Sequence, residues 1–213
     1  MSLAPFGRRH YLKTALAVTG GALAASGTAN ADPAAVRPIR ELCDGLISIM
    51  RAGSRTPFTQ RFQMLAPSVD HAFDLPAVLQ LSVGPPWSSL PPDQQNALLA
   101  AFRRYTVANY VSNFDNYTGQ RFDIQPDTKS LSNGEQLVQT KIVPPSGESH
   151  ELDYVMRRTQ GGWKAVDVLA DGSISRVAVQ RSDFRRLVER GGAQALIQSL
   201  NQKTTELSGG ALT

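Results

Sequence analysis

The spacing of the apolar residues changes twice along this chain, and this change limits the possible folds more than any other feature. As far as residue 114 they recur every three or four positions, which predicts amphipathic helices. Between residues 121 and 179 they alternate with polar residues, which predicts strands. The helical spacing then returns. This order predicts an α+β fold rather than an alternating α/β fold.

Four helices are predicted before the strands. The first covers Pro33–Ala52, and two short helices follow, the second with Asp74 as its N-cap and Gly84 at its end. The fourth is the longest and ends shortly before Gly119. It has a broad aromatic face: Phe102, Tyr105, Tyr110 and Phe114.

The middle of the chain predicts an antiparallel meander, because only short turns separate its strands. The last helices are predicted on either side of Gly191–Gly192. The predicted strands are "RFDIQP", "EQLVQTKIV", "HELDYVMRRT", "GWKAVDVLA" and a short "ISRVAV".

The N-terminus has the pattern of a secretory signal peptide, with a basic start, a short apolar run and an A-x-A site that predicts cleavage between Ala31 and Asp32. The run is too short and too rich in glycine to span a bilayer. "RRHYLK" resembles a twin-arginine export signal, and the ordinary Sec route stays open. We predict a signal peptide at 1–31, one domain at 32–205 and a disordered tail at 206–213.

The charge balance argues against nucleic-acid binding. The signal holds three of the 22 Lys and Arg and none of the 18 Asp and Glu, which leaves 19 bases and 18 acids in the mature chain. Cys43 is the single cysteine and lies in an apolar stripe, so we expect a buried side chain. His71 and His150 have no partners at metal-ligand spacing, so we predict surface histidines and no metal or cofactor.

The aromatic helix and the bulky strand residues leave two interpretations open. A tightly packed core is the default for any sequence, whereas a sheet folded around such a helix can enclose a pocket. Periodicity alone does not distinguish them.

Several stretches in order resemble the MlaC family of periplasmic carriers from phospholipid-trafficking and toluene-tolerance systems. The resemblance covers about Val36 to Leu200, and the related hopanoid-associated HpnM branch stays open. The stretches are "RFQMLAPSVDHAFDLPAVLQLSVGPPW", "YTGQRF" and "GGWKAVDVLADGSISRVAVQRSDFRRLVERGGAQALIQSL".

The resemblance implies a curved antiparallel NTF2-like sheet with a helical subdomain, enclosing an apolar cavity for acyl chains while the headgroup stays outside. It implies a monomeric carrier between an outer-membrane lipoprotein complex and an inner-membrane ABC transporter with MCE-type subunits, in a system that maintains outer-membrane lipid asymmetry. It implies no cofactor and no enzymatic step. The family's basic-aromatic "LGRYW"-like stretch is replaced here by "SVGPPW" (Ser82–Trp87).

Alternation along the predicted elements assigns a set of side chains to the cavity wall. These are Phe73, Leu79, Phe102, Tyr105, Tyr110, Val138, Tyr154, Met156, Trp163, Val166 and Val168.

Asp167 lies in the middle of a predicted apolar strand, where two roles are open. It could be the general base of an NTF2-like enzyme that acts on an apolar small molecule. In the structural role that we favour, it caps turn amides or pairs with Arg176 or Arg181. Gly172 is expected to be structural as well, because Asp171–Gly172 is a typical hairpin turn.

Overall fold

A computed structural model describes residues 33–212 of the chain. The predicted signal peptide and its cleavage site between Ala31 and Asp32 lie outside the described residues. A short 3-10 helix, Pro85–Ser89, follows the third α-helix. The α-helices are α1 Pro33–Ala52, α2 Phe58–Ala72, α3 Leu75–Val83, α4 Pro92–Asn113 and α5 Arg176–Leu207.

Seven strands form one sheet in which every strand pair is antiparallel. The α+β prediction is therefore confirmed. The strands are β1 Arg121–Ile124, β2 Lys129–Ser130, β3 Gln136–Val138, β4 Thr140–Val143, β5 His150–Thr159, β6 Gly162–Ala170 and β7 Ile174–Ser175.

The sheet is organised around β5. The first residues of β5 pair with β4, its later residues pair with β3, and its residues from Leu152 to Thr159 pair with β6 along the other edge. The predicted strand "EQLVQTKIV" is therefore two strands, which are separated at Gln139. At this break the Thr140 N–H donates to the Asp153 carboxylate, 3.1 Å away, and the Thr140 hydroxyl donates to the Leu152 carbonyl.

A β-bulge interrupts the pairing of β5 with β6. Val155 lies opposite Asp167, whereas the next residue of β5 lies opposite Ala165, so Val166 is the extra residue. The neighbouring Ala165 carbonyl accepts the Asp74 N–H at 2.9 Å, which ties the start of α3 to β6. The sheet consequently bends next to the helices.

The start of α5 differs from the prediction. Only Ile174–Ser175 of the predicted strand "ISRVAV" is extended, and the helix begins at Arg176. The Ser175 hydroxyl accepts the Ala178 N–H at 2.9 Å, which is an N-cap bond. This cap outweighs the strand preference of the following valines.

The ends of the other helices agree with their local signals. Asp74 caps α3 by accepting the Ala77 N–H at 3.1 Å. The helix α5 bends at Gly191 and Gly192, where the backbone is not helical. A disordered tail was predicted from residue 206; in the structure α5 reaches Leu207, and a turn follows in which the Leu212 N–H donates to the Ser208 hydroxyl.

The largest part of the core lies under α1. One face of this helix is completely buried and packs against α2, β3 and β6. The helices α4 and α5 pack on each other, and α3 packs on both. The fully buried residues of α1 are Ala35, Ile39, Leu42, Leu46 and Ile49.

Candidate functional site

A cavity of about 510 Å³ lies between α4, the sheet and the beginning of α5. This volume is within the range of small-molecule binding sites, about 300–1,000 Å³. Exposed residues such as Asp115, Asn116 and Asp171 belong to its wall, so the cavity opens to solvent at that end. The sequence left the choice between a packed core and a pocket open, and the structure contains the pocket.

The helix α4 provides the aromatic wall. Its residues at positions 102, 105, 106, 109, 110 and 113 line the cavity, which is the spacing of a single helical face, and Phe114 directly after the helix lines it too. The ring of Tyr110 contacts two other aromatic rings of the wall. Its centroid is 5.9 Å from that of Phe73, which follows α2, and 6.1 Å from that of Phe114. These distances are typical of favourable aromatic pairs.

Aliphatic side chains form the facing wall. Ile142 of β4, Leu152 of β5 and Val168 of β6 come from three adjacent strands. Leu75 and Val78 of α3 extend this wall on the helical side. The interior is therefore apolar on two sides.

The structure divides the predicted lining residues into two groups. Phe73, Phe102, Tyr105, Tyr110 and Val168 lie on the cavity wall. The other predicted residues are buried away from the cavity and do not line it: Leu79, Val138, Tyr154, Met156, Trp163 and Val166.

Two structural features explain this division. The helix α1 packs over β3 and over β6, so Val138 and Trp163 belong to the same packed core as α1. Met156 of β5 lies between Gln136 of β3 and Ala165 of β6 and is buried in the same core. In addition, the bulge at Val166 interrupts the regular alternation of β6. A count of every second residue therefore places Val166 with Val168, whereas only Val168 reaches the cavity.

Asp167 lies at the cavity wall, and its carboxylate binds the beginning of α5. Its Oδ1 accepts the Val177 N–H at 3.1 Å and the Val168 N–H at 2.7 Å. Its Oδ2 accepts the Ser175 hydroxyl. The carboxylate thus satisfies a free N–H of the first turn and offsets the positive end of the helix dipole. Arg181, one of the two expected partners, donates instead to the Leu81 carbonyl at 3.0 Å.

The turn between β6 and β7 forms part of the cavity mouth. Asp171 has a φ of 50° and Gly172 a φ of 71°, and the Ser173 N–H donates to the Ala170 carbonyl at 3.2 Å, which is a type I′ hairpin turn. A Cβ atom at Gly172 would lie 2.8 Å from Oε2 of Glu151. Glycine therefore permits both the positive φ and the close approach of that carboxylate.

The hydroxyl groups in and behind the aromatic wall are held neutral. Burial raises the pKa of Tyr105 and the pKa of Tyr110, while the positive charge of Arg176 acts on both in the opposite direction. Burial also raises the pKa of Tyr154, which lies behind Phe73 at a centroid distance of 6.2 Å.

The remaining sites singled out in the sequence offer little chemistry. Burial raises the pKa of the Cys43 thiol to about 12, which makes its thiolate scarce. His71 Nε2 lies 3.1 Å from Oε2 of Glu41, whereas His150 lines the cavity. Within residues 33–212, no three His, Cys, Asp or Glu side chains are grouped so that they could hold a metal ion.

Polar side chains surround the cavity mouth, and sequence reasoning missed them as site residues. The helical face of α4 continues from its aromatic residues into Asn109 and Asn113, so the extended face was the available signal. The other polar residues of the wall are Asp115, Asn116, Gln120, His150, Glu151, Asp171, Arg176 and Gln180.

The chain and its fold are similar to those of known proteins. The model of the MlaC protein family matches residues 40–202. A phospholipid-binding protein from Ralstonia solanacearum, whose structure was solved in complex with a phospholipid, superposes with a TM-score of 0.69. The two chains are 22% identical over 82% of this chain and 98% of the other, a likeness that shows the fold.

Proposed function

Because this chain belongs to the MlaC protein family, we propose that it is a lipid carrier that holds the acyl chains of a phospholipid in its cavity. The observation that carries this proposal is the apolar cavity between α4 and the sheet, whose mouth is polar. The phospholipid bound by the similar Ralstonia protein supports the choice of ligand.

The energetics of acyl chains require an enclosed site of this kind. Two acyl chains contain on the order of 30 methylenes, and shielding them from water is worth roughly 25 kcal/mol at about 0.8 kcal/mol each. Transfer from a bilayer to the cavity exchanges one apolar surrounding for another. Loading and release can therefore be nearly balanced, and the direction of transport comes from the partners.

The family and the N-terminal sequence support a wider role as part of this proposal. The carrier works in the periplasm as a monomer, after export and removal of residues 1–31. It moves lipid between an outer-membrane lipoprotein complex and an inner-membrane ABC transporter with an MCE-type subunit. No helix within residues 33–212 is long and apolar enough to cross a membrane.

The surroundings of Asp167 favour a carrier over an NTF2-like enzyme. Both of its carboxylate oxygens accept hydrogen bonds from the beginning of α5. A general base needs an oxygen that is free to take a proton from a substrate. The geometry of Asp167 is that of a helix cap.

Analysis of the lipid that co-purifies with the protein tests the proposal. The mature protein is isolated from the periplasm of its host and examined by native mass spectrometry, followed by lipid extraction. Phospholipid bound in a fixed ratio is the expected result. A hopanoid would identify the HpnM type of ligand, and protein that is empty and takes up no phospholipid from vesicles would overturn the proposal.

A further inference from the structure

Among the residues that the structure describes, Arg176 differs from Arg103 and Arg157 in that its guanidinium has no ion-pair partner. It lines the cavity and is half-buried, and within residues 33–212 its side chain has no hydrogen bond or ion pair. By contrast, Arg103 pairs with Asp70, and Arg157 pairs with Glu135. A guanidinium without a partner at the wall of an apolar cavity is a group available to a ligand.

The position of Arg176 in its helix is unfavourable. It is the first residue of α5, where the positive end of the helix dipole repels a cation. Asp167 offsets part of this repulsion through its bond to the Val177 N–H. A residue that opposes a local preference without a compensating contact in the protein is typical of a functional site.

Arg176 lines the cavity and is half-buried, so it lies at the boundary between the apolar interior and solvent. Tyr105 and Tyr110 of the aromatic wall line the same cavity. A guanidinium binds a phosphate with two parallel hydrogen bonds, and it is more weakly hydrated than an ammonium group. The phosphate of a lipid whose chains fill the cavity would lie at this boundary.

The other charged groups of the mouth are mainly acidic. Asp115, Glu151 and Asp171 line the cavity together with Arg176. Glu151 also pairs with Lys141 at 3.1 Å, whereas Asp115 and Asp171 are exposed. Carboxylates at this place attract an amine and repel a second negative charge.

We propose that Arg176 binds the phosphate of the lipid headgroup, and that the surrounding carboxylates favour headgroups that also contain an amine. This inference rests on the proposed function and names the ligand class: zwitterionic phospholipids in preference to anionic ones. Arg176 is then a specificity-determining residue, while the cavity provides most of the affinity.

The first experiment compares Arg176→Gln with the unchanged protein. Delipidated protein is titrated with dioleoylphosphatidylethanolamine and with dioleoylglycerol, which has the same chains but no phosphate. We expect Arg176→Gln to weaken binding of the phospholipid roughly tenfold and to leave binding of dioleoylglycerol unchanged. Free inorganic phosphate should not displace the lipid, since it lacks the chains.

A matched control lies on the same helix. Arg186 is exposed and pairs with Asp183 at 2.9 Å, so Arg186→Gln should leave both affinities unchanged. Removal of the cation at the start of α5 does not weaken the helix. Arg176→Gln should therefore unfold at the same temperature as the unchanged protein or slightly above it, which excludes unfolding as the cause of weaker binding.

A second variant tests the preference for an amine. Asparagine tolerates the positive φ of residue 171, so Asp171→Asn removes the charge and preserves the turn. We expect the ratio of affinities for phosphatidylethanolamine and phosphatidylglycerol to fall about threefold. An unchanged ratio would contradict the acidic part of the proposal.

The outcomes separate this inference from the proposed function. If the protein binds neither dioleoyl lipid, the proposed function fails. If it binds phospholipid and dioleoylglycerol equally, and Arg176→Gln changes neither affinity, the carrier function stands and the role of Arg176 is wrong.

Discussion

At the scale of a residue, Asp167 is a carboxylate whose type and position fit two roles, a general base and a helix cap. In the sequence it is an acid inside an apolar strand, which is also the setting of a general base. In the structure it accepts the Val177 N–H and the Ser175 hydroxyl from the beginning of α5, in addition to the Val168 N–H of its own strand. Its contacts therefore connect the sheet to the helix that closes the cavity.

Replacement of Asp167 by alanine should destabilise the fold. We expect Asp167→Ala to lower the free energy of unfolding by about 2 kcal/mol, because the start of α5 loses an acceptor for its N–H and hydroxyl groups. Urea denaturation followed by circular dichroism measures this change. Asp123→Ala is the control, since the Asp123 carboxylate is exposed and bonds Arg121 two residues away. Equal stability of the two variants would contradict the capping role.

Cys43 should be unreactive in the folded protein. Burial raises its pKa to about 12, so at pH 8 the thiol stays protonated in the folded protein. We expect iodoacetamide to leave the native protein unmodified and to alkylate Cys43 fully in concentrated urea, as measured by mass spectrometry. The raised pKa also makes the free energy of unfolding depend on pH. As pH rises above the ordinary thiol pKa of about 8.5, the unfolded chain loses the thiol proton while the folded protein keeps it, so the free energy of unfolding falls. Rapid alkylation of native protein at pH 8 would show that the thiol is accessible.

At the scale of elements, local signals decide where helices begin, end and bend. Asp74 and Gly84 bound α3 as predicted. The capping hydroxyl of Ser175 starts α5 earlier than the alternation of "ISRVAV" suggested. Alternating valines favour a strand, but a capped helix with a partner in Asp167 is more stable here.

The bend of α5 should depend on Gly192. Its φ of 65° and ψ of −167° lie in a region that is essentially restricted to glycine. We expect Gly192→Ala to lower the free energy of unfolding by about 2 kcal/mol because alanine is strained there. Gln194→Ala, an exposed position two residues later, is the control and should change stability little. Thermal unfolding measures both; a stable Gly192→Ala protein would mean that α5 can straighten.

At the scale of the whole molecule, the cavity results from incomplete coverage of the sheet. The helix α1 fills the space over β3 and part of β6, where Trp163 and Val138 are buried. The aromatic face of α4 lies opposite the rest of the sheet at a distance that leaves about 510 Å³. No single element contains a signal for this volume.

A larger side chain on the cavity wall should displace the lipid without unfolding the protein. In Val168→Trp the added ring enters the cavity, so we expect the amount of co-purifying phospholipid to fall by about tenfold, while overpacking lowers stability by about 1 kcal/mol at most. Native mass spectrometry and thermal unfolding measure the two effects. Val179→Trp, at an exposed position of α5, is the control. Normal lipid content in a folded Val168→Trp protein would place the ligand elsewhere.

The amino-acid sequence by itself determined the α+β class, most element boundaries, the α3 cap, the Asp171–Gly172 turn and the bend at Gly192. These depend on interactions between residues close together in the chain, such as a side chain and the N–H groups three residues away. The resemblance to the family came from the same local stretches in order. The aromatic face of α4 was also visible, because all its members lie on one helix.

Only the tertiary structure decided which of those side chains face the cavity. Tyr154 lies directly opposite Val168, and Met156 and Trp163 lie on the same two strands, but all three are buried in the core, and the bulge at Val166 separates the two parts of β6. The polar mouth with Arg176 combines residues from three separate elements, α4, β5 and α5, and from loops. A void is defined by the atoms on all of its sides, and these come from residues up to 130 positions apart, from Met50 to Gln180. No local pattern contains that information.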